Sequence, residues 1–277
     1  MSSVDRIFFG AGSGSALSRR GGAAGSPTVL FVHPANLQAR CWQAVLAAVP
    51  AEWTCLAIDL SGHGSSVRHD TYGVDRWLRE CVELLDAAEV ADVHLVGASV
   101  GAAVAVELAA AHPDRVRSVT TVGGAFRAAD PADSHAFLAA VAAKGTRAAV
   151  LDILASEAGM DAALVAAVAA DISVNSDEEA ARVWTAAAVA AGLRAAPRLR
   201  CPTLAIVGDR DVGCPVRDSR AFAELTGGRL AVIVGHGHLP MYTAPARVAA
   251  YLGSLVEGTR PDRTPHRRPT TGTGSRS

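Results

Sequence analysis

The sequence predicts an α/β fold, with a mostly parallel, twisted sheet and helices on both of its faces. Short, apolar, β-branched runs alternate along the chain with longer segments whose apolar residues recur at helical spacing. Such alternation implies parallel strands joined by right-handed crossovers. Residues 125–196 break the pattern, because they contain no strand-like run and are too long for a single crossover. This stretch is predicted to be a helical insertion.

Each predicted strand is short and ends at a turn-forming residue. Residues 5–20 are predicted to form a β-hairpin around the glycine-rich turn GAGSGS. Six buried strands follow, in the segments TVLFVHP, WTCLAIDL, VHLVGA, VRSVTTVGG, CPTLAIVGD and RLAVIVG. Helices are predicted between the first four of these strands, at residues 41–50, 74–90 and 100–112.

The domain organisation follows from the same pattern. Residues 1–124 and 197–258 are predicted to form the core. Residues 125–196 are predicted to form a lid over the strand ends, and residues 259–277, which lack apolar anchors, a disordered tail. The lid helices are expected at about 134–143, 146–158, 160–171 and 177–193.

Composition narrows the class of partner. The 277 residues are 50% hydrophobic and carry a formal net charge of −1, so nucleic acid is not an expected partner. The five cysteines are widely spaced and contain no C-x-x-C pair, which favours reduced thiols and a cytoplasmic location. We expect no membrane association, because neither a signal peptide nor a membrane span is predicted. The expected partner is a small-molecule substrate, and a homo-oligomer is left open.

The segment GASVG, residues 97–101, places a serine between two glycines where a predicted strand meets a predicted helix. A G-x-S-x-G turn at such a junction is typical of a nucleophile elbow, in which small neighbours let the serine adopt a strained backbone conformation. The same letters also suit simple close packing of a strand against a helix. The motif alone does not decide between these two interpretations for Ser99.

Acidic residues and histidines follow the last two predicted strands. Asp209 and Asp211 follow one strand, and His236 and His238 follow the next. A serine hydroxyl needs a base to act as a nucleophile, and the base needs an acid to orient it. The chain order of serine, acid and histidine is the one found in α/β-hydrolases.

Four motifs in order make the chain similar to the α/β-hydrolase fold superfamily, in the branch of small esterases, lactonases and cofactor-free haloperoxidases. They are the elbow VGASVG, the turn LAIDLSGHGSS, the acid turn VGDRDVGCP and the histidine turn GHGHLP, and the resemblance covers about residues 5–256. The family's register selects Asp211 over Asp209 and His238 over His236. It implies a catalytic triad of Ser99, Asp211 and His238.

The same resemblance implies an oxyanion hole formed by the backbone amides of Ala35 and Val100. Here the chain departs from the family, since Pro34 stands where a glycine usually follows the strand-end histidine. Proline has no amide hydrogen, but the usual donor is the next residue, Ala35. Pro34 is expected to stiffen the loop, and its effect on the oxyanion hole is left open.

The remaining candidate residues are expected to have structural or pocket roles. His33, His63 and Asp59 are interpreted as structural residues of turns. No metal-ligand spacing and no dinucleotide-binding motif occurs, so neither a metal nor a cofactor is expected. The candidates for a substrate pocket are Asn36, Phe126, Phe137, Trp184 and Leu239. The alternative role for the three aromatic residues is core packing, and the alternative for Asn36 is a place on the loop surface.

The leading hypothesis is a serine hydrolase that cleaves a carboxylic ester, lactone or thioester of a small apolar compound through an acyl-enzyme. A second hypothesis keeps the fold but changes the chemistry, to perhydrolysis or haloperoxidation, carbon–carbon bond hydrolysis, acyl transfer or a cofactor-free lyase reaction. A third is a ligand-binding protein without catalysis, which an intact triad disfavours.

Overall fold

The computed structural model describes residues 4–21, 25–155, 158–173 and 175–259. Within them, eight strands form one sheet in the order β1-β2-β4-β3-β5-β6-β7-β8. The strand bounds are β1 Asp5–Phe9, β2 Gly14–Arg19, β3 Thr28–Val32, β4 Thr54–Asp59, β5 Val93–Ala98, β6 Val116–Val122, β7 Thr203–Gly208 and β8 Arg229–Ile233. The predicted α/β class is therefore confirmed.

The sheet is parallel except at one edge. Strands β3 to β8 pair in parallel, whereas β1 pairs antiparallel with β2, and β2 antiparallel with β4. The predicted hairpin thus extends the sheet, with a short 3₁₀ turn at its tip. Because β3, β5, β6, β7 and β8 are successive neighbours, the loops that follow them all open at the same edge of the sheet.

Helices cover both faces of this sheet. Helices α1 and α10 pack on one face, and α2, α3 and α8 belong to the apolar cluster on the other. The bounds are α1 Gln43–Ala48, α2 Val74–Ala87, α3 Val100–Ala111, α8 Val216–Thr226, α9 Pro240–Thr243 and α10 Pro245–Gly258. Within the described part of the chain, no helix is both long and apolar enough to cross a membrane.

Among the described residues between β6 and β7 are four α-helices, called the cap helices below. They are α4 Pro131–Lys144, α5 Thr146–Ala155, α6 Ala162–Asp171 and α7 Asp177–Ala188. Helix α4 begins three residues before its predicted start because Asp130 caps it, accepting from the Ala132 amide at 2.8 Å. Helix α7 ends five residues early, where the Ala188 carbonyl accepts from the Ala129 amide of the chain entering α4.

Parts of two predictions fall outside the described residues. The segment 146–158 was expected to be one helix; α5 ends at Ala155, and residues 156–157 are not among those described. The predicted tail, 259–277, lies outside them apart from Thr259. The next cap helix starts at its own capping residue, Asp161, which accepts from the Leu164 amide at 2.8 Å.

A buried polar cluster fastens the turn after β4. Asp59 accepts hydrogen bonds from the Ala39 amide at 2.8 Å and the Ser15 hydroxyl at 2.7 Å, and pairs with Arg6 at 2.6 Å. Burial raises its pKa, but these hydrogen bonds outweigh burial and lower the pKa below its ordinary value. His33 joins this turn to the end of β3, because its Nε2 accepts from the Leu60 amide at 3.0 Å.

The His33 and His63 rings lie 4.5 Å apart, centroid to centroid, and both side chains are fully buried. Burial lowers the pKa of His33, and burial together with the neighbouring His33 lowers the pKa of His63 to about 3. Both imidazoles are therefore neutral in the folded protein at neutral pH. Unfolding exposes them to water, where a histidine pKa is near 6.5.

We expect acid to destabilise the protein through these histidines. Below pH 6.5 the unfolded chain binds protons that the folded state excludes, so stability falls as pH falls towards 3, by up to about 1.4 kcal/mol per pH unit for one histidine. His63→Gln should flatten the fall in the free energy of unfolding between pH 6.5 and 4.5, measured by urea denaturation.

Burial also raises the pKa of Glu80 at the same turn, so its protonation stabilises the folded state as pH falls and opposes the effect of the histidines. The pH dependence of His63→Gln must therefore be compared with that of wild type. His135→Gln, at an exposed histidine, is the matched control and should keep the wild-type slope. Equal slopes in wild type and His63→Gln would contradict the assignment.

Candidate active site

Ser99 lies at the sharp turn between β5 and α3. Its backbone has φ +51° and ψ −121°, a left-handed conformation that costs a non-glycine residue free energy. The flanking glycines are required by contact: a Cβ on Gly97 would lie 2.2 Å from the Gly101 carbonyl oxygen, and one on Gly101 2.4 Å from the Val32 carbonyl oxygen. The two interpretations of the motif are therefore compatible, since the close packing forces the serine onto a tight turn.

Four backbone hydrogen bonds hold this turn. The Ser99 amide donates to the carbonyls of Val122 and Gly123, both at 3.1 Å, at the end of β6. The Ser99 carbonyl accepts from the amides of Ala102 at 3.0 Å and Ala125 at 2.9 Å. The strained residue is thus fixed from both sides, which places its side chain at the carboxyl edge of the sheet.

The predicted acid and base are hydrogen-bonded to each other. His238 Nδ1 lies 2.9 Å from Asp211 Oδ2; the histidine side chain is 21% exposed and the aspartate side chain is fully buried. The other carboxylate oxygen, Oδ1, accepts from the Cys214 amide at 2.8 Å. Both oxygens of Asp211 therefore have partners, and the carboxylate holds the imidazole by its Nδ1.

The alternative acid and histidine face other parts of the molecule. Asp209 is exposed and accepts from the Gly235 amide at 2.6 Å, which joins the turns after β7 and β8. His236 Nδ1 lies 2.8 Å from the Thr243 hydroxyl. Neither residue lines the cavity that contains Ser99 and His238.

Gly123 is a site residue that the sequence did not single out. It follows β6 with φ +52°, and a Cβ there would lie 2.8 Å from the His238 carbonyl oxygen and 3.0 Å from Asp211 Oδ2. The Gly123 carbonyl oxygen also accepts a hydrogen bond from the Ser99 amide. A residue without a side chain at this position therefore lets the serine turn and the acid–histidine pair come together. The only sequence signal was a Gly-Gly pair at the end of a strand.

The two residues whose amides are predicted to form an oxyanion hole line the same cavity as Ser99. Val100 is the first residue of α3, where an amide has no partner within the helix and the helix dipole is positive. Ala35 lies in the turn after β3, which the Leu37 amide closes by donating to the Pro34 carbonyl at 3.4 Å. No acceptor for either amide is found in the described part of the chain.

Ser99 and His238 open onto a cavity of about 1100 Å³ between the strand ends and the cap helices. This volume is at the upper end of the range for small-molecule sites. Its wall is largely apolar and rich in alanine; the alanines from the cap helices are Ala136, Ala140, Ala149, Ala187 and Ala188. The cap segment thus covers the edge of the sheet at which Ser99 lies.

All five predicted pocket residues line this cavity. Phe137 and Trp184 face each other from two cap helices with ring centroids 4.2 Å apart. Phe126 is 2% exposed and stacks on Phe222 at 4.6 Å, so most of its ring belongs to the core. Core packing, the alternative kept for Phe126, therefore describes most of its ring. Asn36 and Leu239 are buried residues of the cavity wall.

Among the described residues, the charges on the cavity wall balance in number. Arg127 pairs with Asp218 at 2.8 Å, and Lys144 pairs with Asp152. The described part of the wall holds four basic and four acidic side chains, namely Arg127, Lys144, Arg210 and Arg217 with Asp130, Asp133, Asp152 and Asp218. Such a wall favours a neutral ligand over a strongly charged one.

The cap is fastened to the turn that carries His238. Asp171, the last residue of α6, accepts from the Tyr242 hydroxyl at 2.8 Å and pairs with Arg40 at 3.4 Å. Burial raises the pKa of Asp171 and also raises the pKa of Tyr242. Because Tyr242 lies in the short helix just after His238, this buried contact fixes the cap relative to the histidine.

Among the described residues, no group of three or more His, Cys, Asp or Glu side chains is arranged to hold a metal ion. All five cysteines are free thiols. Burial raises the pKa of Cys41, Cys55 and Cys81, which keeps these three thiols protonated and unreactive.

Known proteins resemble this chain in sequence and in fold. The chain is 28% identical over 266 residues to an uncharacterized protein of Mycobacterium tuberculosis, covering 86% of this chain and 78% of that one. It superposes on a thermophilic esterase from Thermogutta terrifontis with a TM-score of 0.80 at 20% identity, covering 94% of this chain and 100% of that one. A bromoperoxidase from Bacillus anthracis gives 0.80 at 20% identity, covering 92% and 100%.

The two solved structures are too distant in sequence to indicate more than a shared fold. The sequence profile of the Alpha/beta hydrolase family matches residues 29–251, a range that includes Ser99, Asp211 and His238. That match covers most of the chain, and the resemblance inferred from the four motifs is confirmed at the level of the superfamily. The chain belongs to the alpha/beta hydrolase family.

Proposed function

We propose that the protein is a serine hydrolase that cleaves a carboxylic ester, lactone or thioester of a small, mostly apolar and neutral compound. The observation that carries the proposal is the hydrogen bond between His238 Nδ1 and buried Asp211, on the wall of the cavity that Ser99 also lines. Such a pair gives a serine the oriented base that it needs to become a nucleophile.

In the proposed acylation step, His238 removes the Ser99 proton and the serine oxygen attacks the substrate carbonyl carbon. Asp211 engages Nδ1 at 2.9 Å, so Nε2 is the ring nitrogen that takes the proton. The buried carboxylate stabilises the imidazolium that forms. The protonated histidine then delivers its proton to the leaving alcohol or thiol as the tetrahedral intermediate collapses to an acyl-enzyme.

The negative oxygen of that intermediate is stabilised by the amides of Ala35 and Val100. Because no described residue accepts a hydrogen bond from either amide, both are available to the substrate oxygen. One such donor typically contributes about 3 kcal/mol to transition-state stabilisation. Pro34 closes the turn through its carbonyl, so its missing amide does not remove a donor from this pair. Deacylation repeats the sequence, with water as the nucleophile and His238 as its base.

A fluorophosphonate probe should form a covalent adduct with Ser99 that mass spectrometry can locate. Ser99→Ala and His238→Ala should abolish the adduct and lower kcat roughly 10⁴-fold or more, because the triad acts as a unit. His236→Ala is the matched control, two residues away and facing Thr243, and should still be labelled. Labelling at another residue, or labelling and turnover unaffected by Ser99→Ala, would refute the proposal.

Asp211→Asn should lower kcat by roughly 10⁴-fold while changing KM little, since the amide cannot stabilise the imidazolium and favours the wrong tautomer. Asp209→Asn is the control, because its Oδ1 can still accept from the Gly235 amide. The measurement is hydrolysis of p-nitrophenyl octanoate by both variants. Equal losses in the two variants would argue against Asp211 as the orienting acid.

The cap helices should set selectivity for the acyl chain. Ala140 of α4 lines the cavity, whereas its neighbour Ala139 is exposed. Ala140→Phe should reduce kcat/KM for p-nitrophenyl octanoate roughly tenfold more than for the acetate, because it fills space that the longer chain needs. Ala139→Phe should keep the wild-type ratio of octanoate to acetate hydrolysis. Identical ratios in both variants would place the acyl chain elsewhere.

A further inference from the structure

Asn36 is a buried amide with no partner at the edge of the proposed oxyanion hole. It lines the cavity next to Ala35, and its side chain is only 2% exposed. Neither Oδ1 nor Nδ2 of this residue has a hydrogen-bond partner in the described part of the chain. Buried side-chain amides are nearly always paired, so this one calls for an explanation.

The backbone explains the position but not the side chain. Asn36 has φ +60° and is the third residue of the turn that Leu37 closes onto Pro34. Asparagine tolerates this left-handed conformation, but glycine adopts it with less strain and buries no polar group. The turn therefore needs a residue that can adopt positive φ. The side-chain amide of Asn36 has no structural role in the turn.

One other cavity residue has a buried polar atom without a partner among the described residues, namely Nε1 of Trp184. The indole is a donor only, and it lies on cap helix α7 against Phe137. Asn36 differs in offering both a donor and an acceptor. It also follows Ala35 in the chain, and both residues line the cavity.

We infer that Asn36 recognises a hydroxyl group on the carbon α or β to the carbonyl of the acyl portion of the substrate. A hydroxyl both donates and accepts, so it can pair with whichever end of the amide faces it. A carbonyl or carboxylate oxygen only accepts, so it could pair with Nδ2 alone and would leave Oδ1 without a partner. The inference rests on the proposed function for the position of the acyl group, and it narrows the substrate class to esters, lactones or thioesters of hydroxy acids.

The test compares p-nitrophenyl octanoate with its 2-hydroxy, 3-hydroxy and 3-methoxy derivatives. The wild-type protein should hydrolyse one hydroxy ester with a kcat/KM roughly tenfold above that of octanoate, the gain typical of one neutral hydrogen bond. Where the preference falls on the 3-hydroxy ester, the 3-methoxy ester, which cannot donate to Oδ1, should be the poorer substrate. Absence of any preference for a hydroxy ester would overturn the inference.

Asn36→Gly keeps the positive φ, removes the amide and should abolish the hydroxy preference. Gln38→Ala, at a half-buried residue outside the cavity, is the matched control and should retain it. A preference that survives Asn36→Gly, or that is lost only in Trp184→Phe, assigns the contact elsewhere and refutes the inference. If Asn36→Gly does not fold, Asn36→Asp replaces it, and a hydroxy-to-octanoate ratio within about threefold of wild type would count against Asn36.

Binding to the Ser99→Ala protein separates failure of this inference from failure of the proposed function. Calorimetric titration with methyl 2-hydroxyoctanoate, methyl 3-hydroxyoctanoate and methyl octanoate measures recognition without turnover. At least one hydroxy ester should bind about tenfold more tightly than methyl octanoate, and Asn36→Gly in the same background should remove the difference. Equal affinities overturn the inference about Asn36, whereas full esterase activity in Ser99→Ala overturns only the proposed nucleophile.

Discussion

The close contact between β5 and the first turn of α3 is the constraint on which the rest of the site depends. A Cβ on Gly97 or Gly101 would lie within 2.4 Å of a backbone oxygen, so the strand and helix meet with no room for side chains. The chain reverses direction at Ser99, which lies between the strand and the helix and therefore adopts positive φ. The strain, of order 1–3 kcal/mol, is offset by the backbone hydrogen bonds that hold the turn from β6.

The order of strands converts distant sequence positions into neighbours. Ala35 follows β3, Ser99 follows β5, Gly123 follows β6, Asp211 follows β7 and His238 follows β8. These strands are consecutive in the sheet, so five loops meet at one edge in the same order. No long-range side-chain contact is needed to collect them, because the backbone pairing of the sheet does it. Side-chain contacts, such as the hydrogen bond between Asp211 and His238, then set the final positions of these groups.

This topology explains which features could be predicted from the sequence. Strand ends and the serine turn depend on local residue types, which the sequence shows directly. The preference for Asp211 and His238 over their neighbours came from the register of the family's motifs. The role of Gly123 depends on the approach of two loops from other strands, which no local pattern contains. The ends of α4 and α7 were displaced by a cap at Asp130 and by a bond between Ala129 and Ala188. Alanine favours a helix everywhere in that segment, so propensity could not locate either end.

The site therefore divides into a part fixed by backbone geometry and a part fixed by the placement of the cap helices. Alanine side chains supply much of the cap wall, so helix backbones rather than large side chains define the shape of the cavity. The alanines of the cap wall offer volume but no side-chain hydrogen bonds, and its charged residues, among them Asp133, Lys144 and Asp152, are of both signs, so the sequence of the cap does not reveal a substrate. An uncharged amide lies instead at the junction of cap and core. Asn36 occupies that junction, since its carbonyl accepts from the Ser173 amide in the segment after α6 and its neighbour Ala35 lines the same cavity as Ser99. A residue bonded to the cap segment through its backbone, and next in the chain to a proposed oxyanion donor, is well placed for the proposed link between the substrate's identity and its position over the serine.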